Sequence, residues 1–109
     1  MTPLEIFQYE TISGKSPYRE WFLSLKDGML RSRIRARIDR LALGNPGDYK
    51  SLGEGVYELR LDFGPGFRIY YAHVKTIVVL LLNGGDKSTQ VSDIRQAKEN
   101  WKDFKRRNP

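Results

Sequence analysis

Apolar and polar residues alternate along Tyr57–Phe63, so Tyr57, Leu59, Leu61 and Phe63 share one side of a strand while Glu58, Arg60 and Asp62 share the other. After Gly64-Pro65-Gly66 the alternation resumes, with Phe67, Ile69 and Tyr71 on one side and Arg68 and Tyr70 on the other, which predicts an antiparallel hairpin. With the Gly-Pro-Gly segment as the loop, the expected pairs are Phe63 with Phe67, Leu61 with Ile69, Leu59 with Tyr71, Asp62 with Arg68 and Arg60 with Tyr70. A one-residue slip would turn Arg68 into the core, so the pattern selects the faces strongly. The expected product is a greasy face and an open face that carries two arginines, a tyrosine and two carboxylates.

The same reading places the other elements. Ile77–Leu82 is an unbroken aliphatic run, which suits an interior strand over Thr76–Leu82 covered on both faces. Glu5–Thr11 is β-rich and partly alternating, a first strand. Ser16-Pro17 opens a helix, because serine caps well and proline has no N–H to leave unpaired; Tyr18, Trp21, Phe22 and Leu25 carry the helix over Pro17–Lys26, with Gly28 to close it. Leu30, Ile34, Ile38 and Leu41 form the stripe of a second helix over Met29–Leu43, framed by Arg33, Arg37 and Arg40 on one side and Arg31 and Arg35 on the other. Gly44–Gly55 reads as a loop pinned by Leu52. Val91, Ile94, Ala97, Trp101 and Phe104 lie on one side of a last helix over Thr89–Lys105, followed by a loose basic tail at Arg106–Pro109. The order is β-α-α-β-β-β-α, an α+β class.

A chain of 109 residues makes one domain, and 39% hydrophobic with 29% charged residues is a globular balance. The absence of cysteine excludes disulfides and thiolate metal sites, and no metal or cofactor is expected. The longest apolar run is too short for a bilayer and Met1–Glu5 lacks the order of a secretion signal, so a cytoplasmic protein without a membrane partner is expected. The net charge of +6 and pI near 9.7 favour polyanions: ribosomes, messenger RNA, DNA or acidic proteins.

Four segments together carry a family resemblance: Leu52-Gly53-x-Gly55-Val56-Tyr57-Glu58-Leu59-Arg60-Leu61, Asp62-Phe63-Gly64-Pro65-Gly66-Phe67-Arg68-Ile69-Tyr70-Tyr71, Gly84-Gly85-Asp86-Lys87-Ser88-Thr89-Gln90, and Asp93-Ile94 with Ala97. On these the chain resembles the RelE/ParE superfamily of toxin–antitoxin toxins, and within it the HigB-like addiction module killer branch, over almost its whole length. The resemblance implies a two-layer RelE-like fold: a mostly antiparallel four-stranded sheet, the first strand beside the last, two N-terminal helices on one face and a C-terminal helix. It also implies a co-encoded antitoxin, often of helix-turn-helix type, operator DNA contacted through the antitoxin complex, and one of two targets. Many members cut messenger RNA in the ribosomal A site through attack of the 2′-hydroxyl, and ParE-type members poison DNA gyrase.

Cleavage by the 2′-hydroxyl needs a proton acceptor, cations on the phosphorane oxygens and help for the leaving 5′-oxygen. By resemblance, Arg68 holds the phosphate-binding position, Arg60 the matching basic position and Lys87 the basic position after the last strand. Glu58 shares the arginine face as a candidate base, with Asp48 as a second. The lone His73 falls on the opposite face and reads as structural. Arg33, Arg37, Arg40, Lys50 and Tyr70 are the expected RNA contacts. Each has a plainer alternative: Glu58, Arg60, Asp62 and Arg68 as a cross-strand salt-bridge ladder, the helix arginines as a solvated face, Tyr70 as interior packing, and Gly84-Gly85 as turn glycines. Trp21 and Trp101 fit core stripes. An inactive relative that holds its antitoxin is the third functional alternative.

Overall fold

The computed structural model describes residues 2–109. Five strands, β1 (Glu5–Gln8), β2 (Tyr49–Ser51), β3 (Tyr57–Arg60), β4 (Arg68–Val74) and β5 (Val78–Gly85), form one sheet in the order β1-β5-β4-β3-β2. Three helices, α1 (Pro17–Ser24), α2 (Gly28–Ala42) and α3 (Gln90–Arg107), complete it. Beside the expected antiparallel meander, β1 pairs parallel with β5, so the first strand does lie next to the last.

Two cores flank the sheet. Tyr18 and Phe22 of α1 and Ile34, Ile38 and Leu41 of α2 pack with Leu59, Leu61, Ile69, Tyr71, Val79 and Leu81 on one face. Ala97 of α3, with Ile94, Trp101 and Phe104 beside it, packs with Val56, Tyr70, Ala72, Leu80 and Leu82 on the other. The fold therefore has three layers rather than the expected two. β5 is buried along its length because both cores use it, as its unbroken aliphatic run demands.

The sheet has five strands rather than four. β2 lies inside the segment read as a loop; its three residues are all exposed and carry no burial pattern, so only the ladder with β3 defines it. Ser16 caps α1 as expected, accepting the Arg19 N–H at 3.2 Å. α1 ends at Ser24, however, and Gly28 opens α2 instead of closing α1, because Asp27 caps the second helix by accepting the Met29 N–H at 2.9 Å. The basic tail is not loose: α3 continues to Arg107, whose guanidinium donates to Asp103 at 2.7 Å and to the Glu10 carbonyl at 2.6 Å.

Gly84 and Gly85 are the last residues of β5, not turn residues. A Cβ on Gly84 would lie 2.3 Å from the Trp21 ring, and one on Gly85 would lie 1.9 Å from Asp93 Oδ2. The pair is glycine because a helix side chain presses on the sheet from each face. Gly84→Ala should therefore destabilise the fold by about 1–3 kcal/mol through overpacking. Urea denaturation checks this, and a wild-type midpoint would contradict it.

A cationic hollow at the hairpin as candidate functional site

The observed register of β3 against β4 sets Leu59 opposite Ile69, Glu58 opposite Tyr70, Tyr57 opposite Tyr71 and Arg60 opposite Arg68. Each expected pair is displaced by two residues, because the turn is longer than Gly64-Pro65-Gly66: the Leu61 N–H donates to the Phe67 carbonyl at 3.0 Å, and Asp62 and Phe63 join the loop. A shift of two preserves the faces, so Arg60 and Arg68 still share one side. Like charges directly opposite repel, and the pair calls for an anion.

Part of that anion is Glu58, whose side chain is fully buried beneath α3. Its Oε1 accepts from Arg60 Nε at 3.0 Å and lies 4.0 Å from Arg68 Nε, while its Oε2 accepts from Gln90 of α3 at 2.8 Å. Burial pushes this carboxyl up, but hydrogen bonds from Gln90 and Arg60, the adjacent Tyr70 hydroxyl and the Arg60 charge outweigh it, and its pKa falls below the usual value. Glu58 is thus an enclosed anion that holds the Arg60 guanidinium by a hydrogen bond and faces Arg68, whose buried Nε has no hydrogen-bond partner among the described residues. The expected open charged face is instead covered by α3 over this stretch, and Glu58 has no solvent path by which to take a proton from a substrate.

Arg60 keeps 34% of its side chain exposed, whereas Arg68 is mostly buried at 11% and reaches solvent only at the hollow. Together with Lys87, Asp48, Asp62 and the Gly64-Pro65-Gly66 turn they line a hollow of about 250 Å³. Arg68 donates through Nη1 to the Gly66 and Phe67 carbonyls at 3.1 and 3.0 Å, which holds the turn against the hollow. Lys87 follows β5 and lays its aliphatic chain on Gly66, where a Cβ would meet three of its carbons at 2.9 Å. Gly66 also has φ +78°, the left-handed region that favours glycine at this turn position.

A second hollow of about 220 Å³ adjoins it, sharing Asp48, Arg60 and Asp62 and adding Arg37, Arg40 and Gly47. Arg40 is exposed there. Arg37 is otherwise engaged: its guanidinium donates to the carbonyls of Arg60 at 2.6 Å, Pro46 at 2.7 Å and Asp48 at 2.9 Å, stapling α2 to β3 and to the loop before β2. Arg33 stacks over the Phe63 ring at 3.9 Å, and Lys50 stands exposed on β2 opposite Glu58.

Tyr70 does not face solvent. It is completely buried, and its hydroxyl, beside Glu58, lacks a well-aligned partner among the described residues. Burial first, then the Glu58 charge, drives its pKa well above the ordinary phenol value, so it stays neutral and serves the interior. His73 lies exposed on the α2 side of the sheet, edge-on to Tyr57 and Tyr71, away from the hollow. Sequence reasoning missed Gln90 as the residue linking α3 to Glu58, and Arg37 as a staple. Both act through partners distant in sequence, which no local pattern announces. A further hollow, about 370 Å³, lies between α1, α2 and β1 with Ile6, Phe22, Leu23 and Ile38 in its lining, and does not include the arginine pair.

Residues 20–102 match the family described as phage-derived protein Gp49-like (DUF891), a family of the RelE and addiction-module killer type. The chain belongs to the Gp49-like family. An uncharacterized protein of Haemophilus influenzae is 48% identical to it over 81 residues, covering 74% of this chain and 82% of that protein. The Gp49-like match runs from the middle of α1 through most of α3, and so includes every residue lining the two hollows. No helix among the described residues is long and apolar enough to cross a membrane.

Proposed function

We propose that this Gp49-like protein is the toxin of a type II toxin–antitoxin module and acts as a ribosome-dependent endoribonuclease on messenger RNA in the cytoplasm. The observation that carries the reading is the convergence of Arg60, Arg68 and Lys87 on one open hollow, with a buried carboxylate behind the two arginines that hydrogen-bonds Arg60 and lies 4.0 Å from Arg68. Guanidinium forks match the oxygens of a phosphodiester, and donors fixed in advance stabilise charge that grows in the transition state.

In this reading the 2′-oxygen attacks the adjacent phosphorus and the bond from phosphorus to the 5′-oxygen breaks, giving a 2′,3′-cyclic phosphate and a 5′-hydroxyl. Arg68 and Arg60 bind the phosphorane oxygens. Lys87 gives its proton to the leaving 5′-oxygen. The base role passes from Glu58 to Asp48, an exposed carboxylate in the wall of both hollows, which takes the 2′-hydroxyl proton. Asp48→Asn should lower cleavage about a hundredfold or more while leaving stability unchanged, since general-base catalysis contributes roughly that much. Single-turnover cleavage of a ribosome-bound message measures it; an undiminished rate would return the base role to another group.

The cognate antitoxin, of helix-turn-helix type, neutralises the protein by covering the hollow or shifting α3, and carries the complex to operator DNA. One observation favours a second reading, a gyrase poison of the ParE type: the single imidazole, His73, stands on the wrong face of the sheet for acid–base work at the hollow. Expression without antitoxin separates the two. The ribonuclease stops translation before any DNA damage response, and the gyrase poison does the reverse.

A further inference from the structure

On the face of the sheet that carries α1 and α2, the edge next to α2 is aromatic rather than aliphatic. Tyr49 of β2, Tyr57 of β3, and Tyr71 and His73 of β4 form a continuous strip: the Tyr49 and Tyr57 ring centroids are 6.3 Å apart, Tyr57 and Tyr71 are stacked at 5.5 Å, and His73 meets Tyr57 edge-on at 5.7 Å. Tyr71 is the buried floor at 2% exposure, whereas Tyr49 is 50% exposed and His73 is open to solvent. Burial, with the neighbouring phenols of Tyr49 and Tyr57, pushes the Tyr71 hydroxyl up to about 12, so the floor carries no negative charge at neutral pH.

The strip starts where the second hollow ends. Tyr49 follows Asp48, whose carbonyl is held by Arg37, and Arg37 and Arg40 line that hollow together with Arg60. Arg60 and Arg68 lie on the opposite face of the sheet, so a strand held in the hollow reaches the exposed rings by turning round the edge strand β2, where Asp48 and Tyr49 are neighbours. Exposed tyrosines ordinarily stand apart from one another on a soluble protein; a connected row next to a cationic groove has the form of a single-strand binding surface, because every base offers a π-face to stack and every phosphate a charge to hold.

We infer that the Tyr49–Tyr57–His73 strip is a second binding surface for single-stranded RNA, on which the bases flanking the cut site stack. The inference rests on the ribonuclease reading above and adds where the rest of the strand runs. It assigns Tyr49 and His73, exposed and outside the hollow, a contribution to RNA affinity and none to the chemical step. Tyr57, which touches all three other rings, holds them in line.

The test uses the full chain and fluorescein-labelled single-stranded RNA in two lengths, a trinucleotide and an oligomer of about twelve nucleotides, the span such surfaces cover. Fluorescence anisotropy at fixed salt gives both affinities. The double variant Tyr49→Ser, His73→Ser alters only exposed side chains; it should bind the long oligomer about tenfold or more weakly, as loss of base stacking implies, and the trinucleotide as wild type does. Tyr49→Trp should keep or tighten the long-oligomer affinity, a result that a merely structural role would not give. Equal affinity of wild type and double variant for the long oligomer would overturn the inference, and is also the result expected if a protein partner covers the strip. Equal losses for both lengths would overturn it as well. Cleavage of ribosome-bound message, scored separately, reports on the ribonuclease reading, so the strip can fail while that reading stands.

Discussion

Arg68→Ala is expected to lower message cleavage by about a hundred- to a thousandfold, the effect of removing one fixed donor from a developing oxyanion. The loss has two physical sources. A guanidinium facing the hollow disappears, and so do the Nη1 hydrogen bonds to the Gly66 and Phe67 carbonyls that hold the turn. Arg68→Lys separates them, because lysine keeps the charge but not the fork; its rate should fall between wild type and alanine. Rapid-quench measurement on ribosome-bound message, with circular dichroism to confirm folding, decides the matter. An Arg68→Ala protein that is folded and cuts at the wild-type rate would remove the arginine pair from the chemistry.

The second large effect is on the fold itself. Glu58→Ala leaves the Arg60 and Arg68 guanidiniums facing each other with no anion between them and strands the Gln90 amide of α3. Removing one member of a buried ion pair costs about 3–5 kcal/mol, toward the lower end here because about a third of the Arg60 side chain reaches solvent. Glu58→Gln, which still accepts hydrogen bonds, should cost less and serves where the alanine variant does not fold. Urea denaturation measures both. A Glu58→Gln protein of wild-type stability and activity would show that the carboxylate positions nothing.

The same carboxyl makes acid stability a readout. Its folded pKa lies below its unfolded one, so its contribution is complete above the unfolded carboxylate value and is lost as the pH falls through the folded value. Asp103, held down to about 2 first by Arg107 and then by Tyr9, acts in the same direction. Between about pH 5 and pH 3 wild type should lose more stability than Glu58→Gln, and parallel curves would contradict the assignment.

Much of the site was legible because strand alternation is a strong signal. It put Arg60, Arg68 and Glu58 on one face, and the two-residue register shift left that assignment intact. What the pattern does not report is what lies over a face. Ile94, Ala97, Trp101 and Phe104 announce a helix with an apolar side, yet nothing in that spacing says that it packs over the strand face bearing Glu58. A buried carboxylate with two guanidiniums and an amide around it looks, in sequence, like any charged residue on an exposed strand. β2 was invisible for a different reason: three exposed residues carry no periodicity. Gly84 and Gly85 misled because glycine signals either a turn or a close approach, and only the positions of Trp21 and Asp93 tell which.

The most direct measurement places a single 2′-deoxynucleotide just before the scissile phosphate of an A-site codon in a message programmed into ribosomes. The hollow has cations for a phosphate and a carboxylate for a 2′-hydroxyl proton, but the nucleophile belongs to the RNA. The all-ribose message should be cut to a fragment ending in a 2′,3′-cyclic phosphate, and the deoxy-substituted message should stay intact. An uncut ribose message, or a deoxy-substituted message cut at the same bond, would contradict the account.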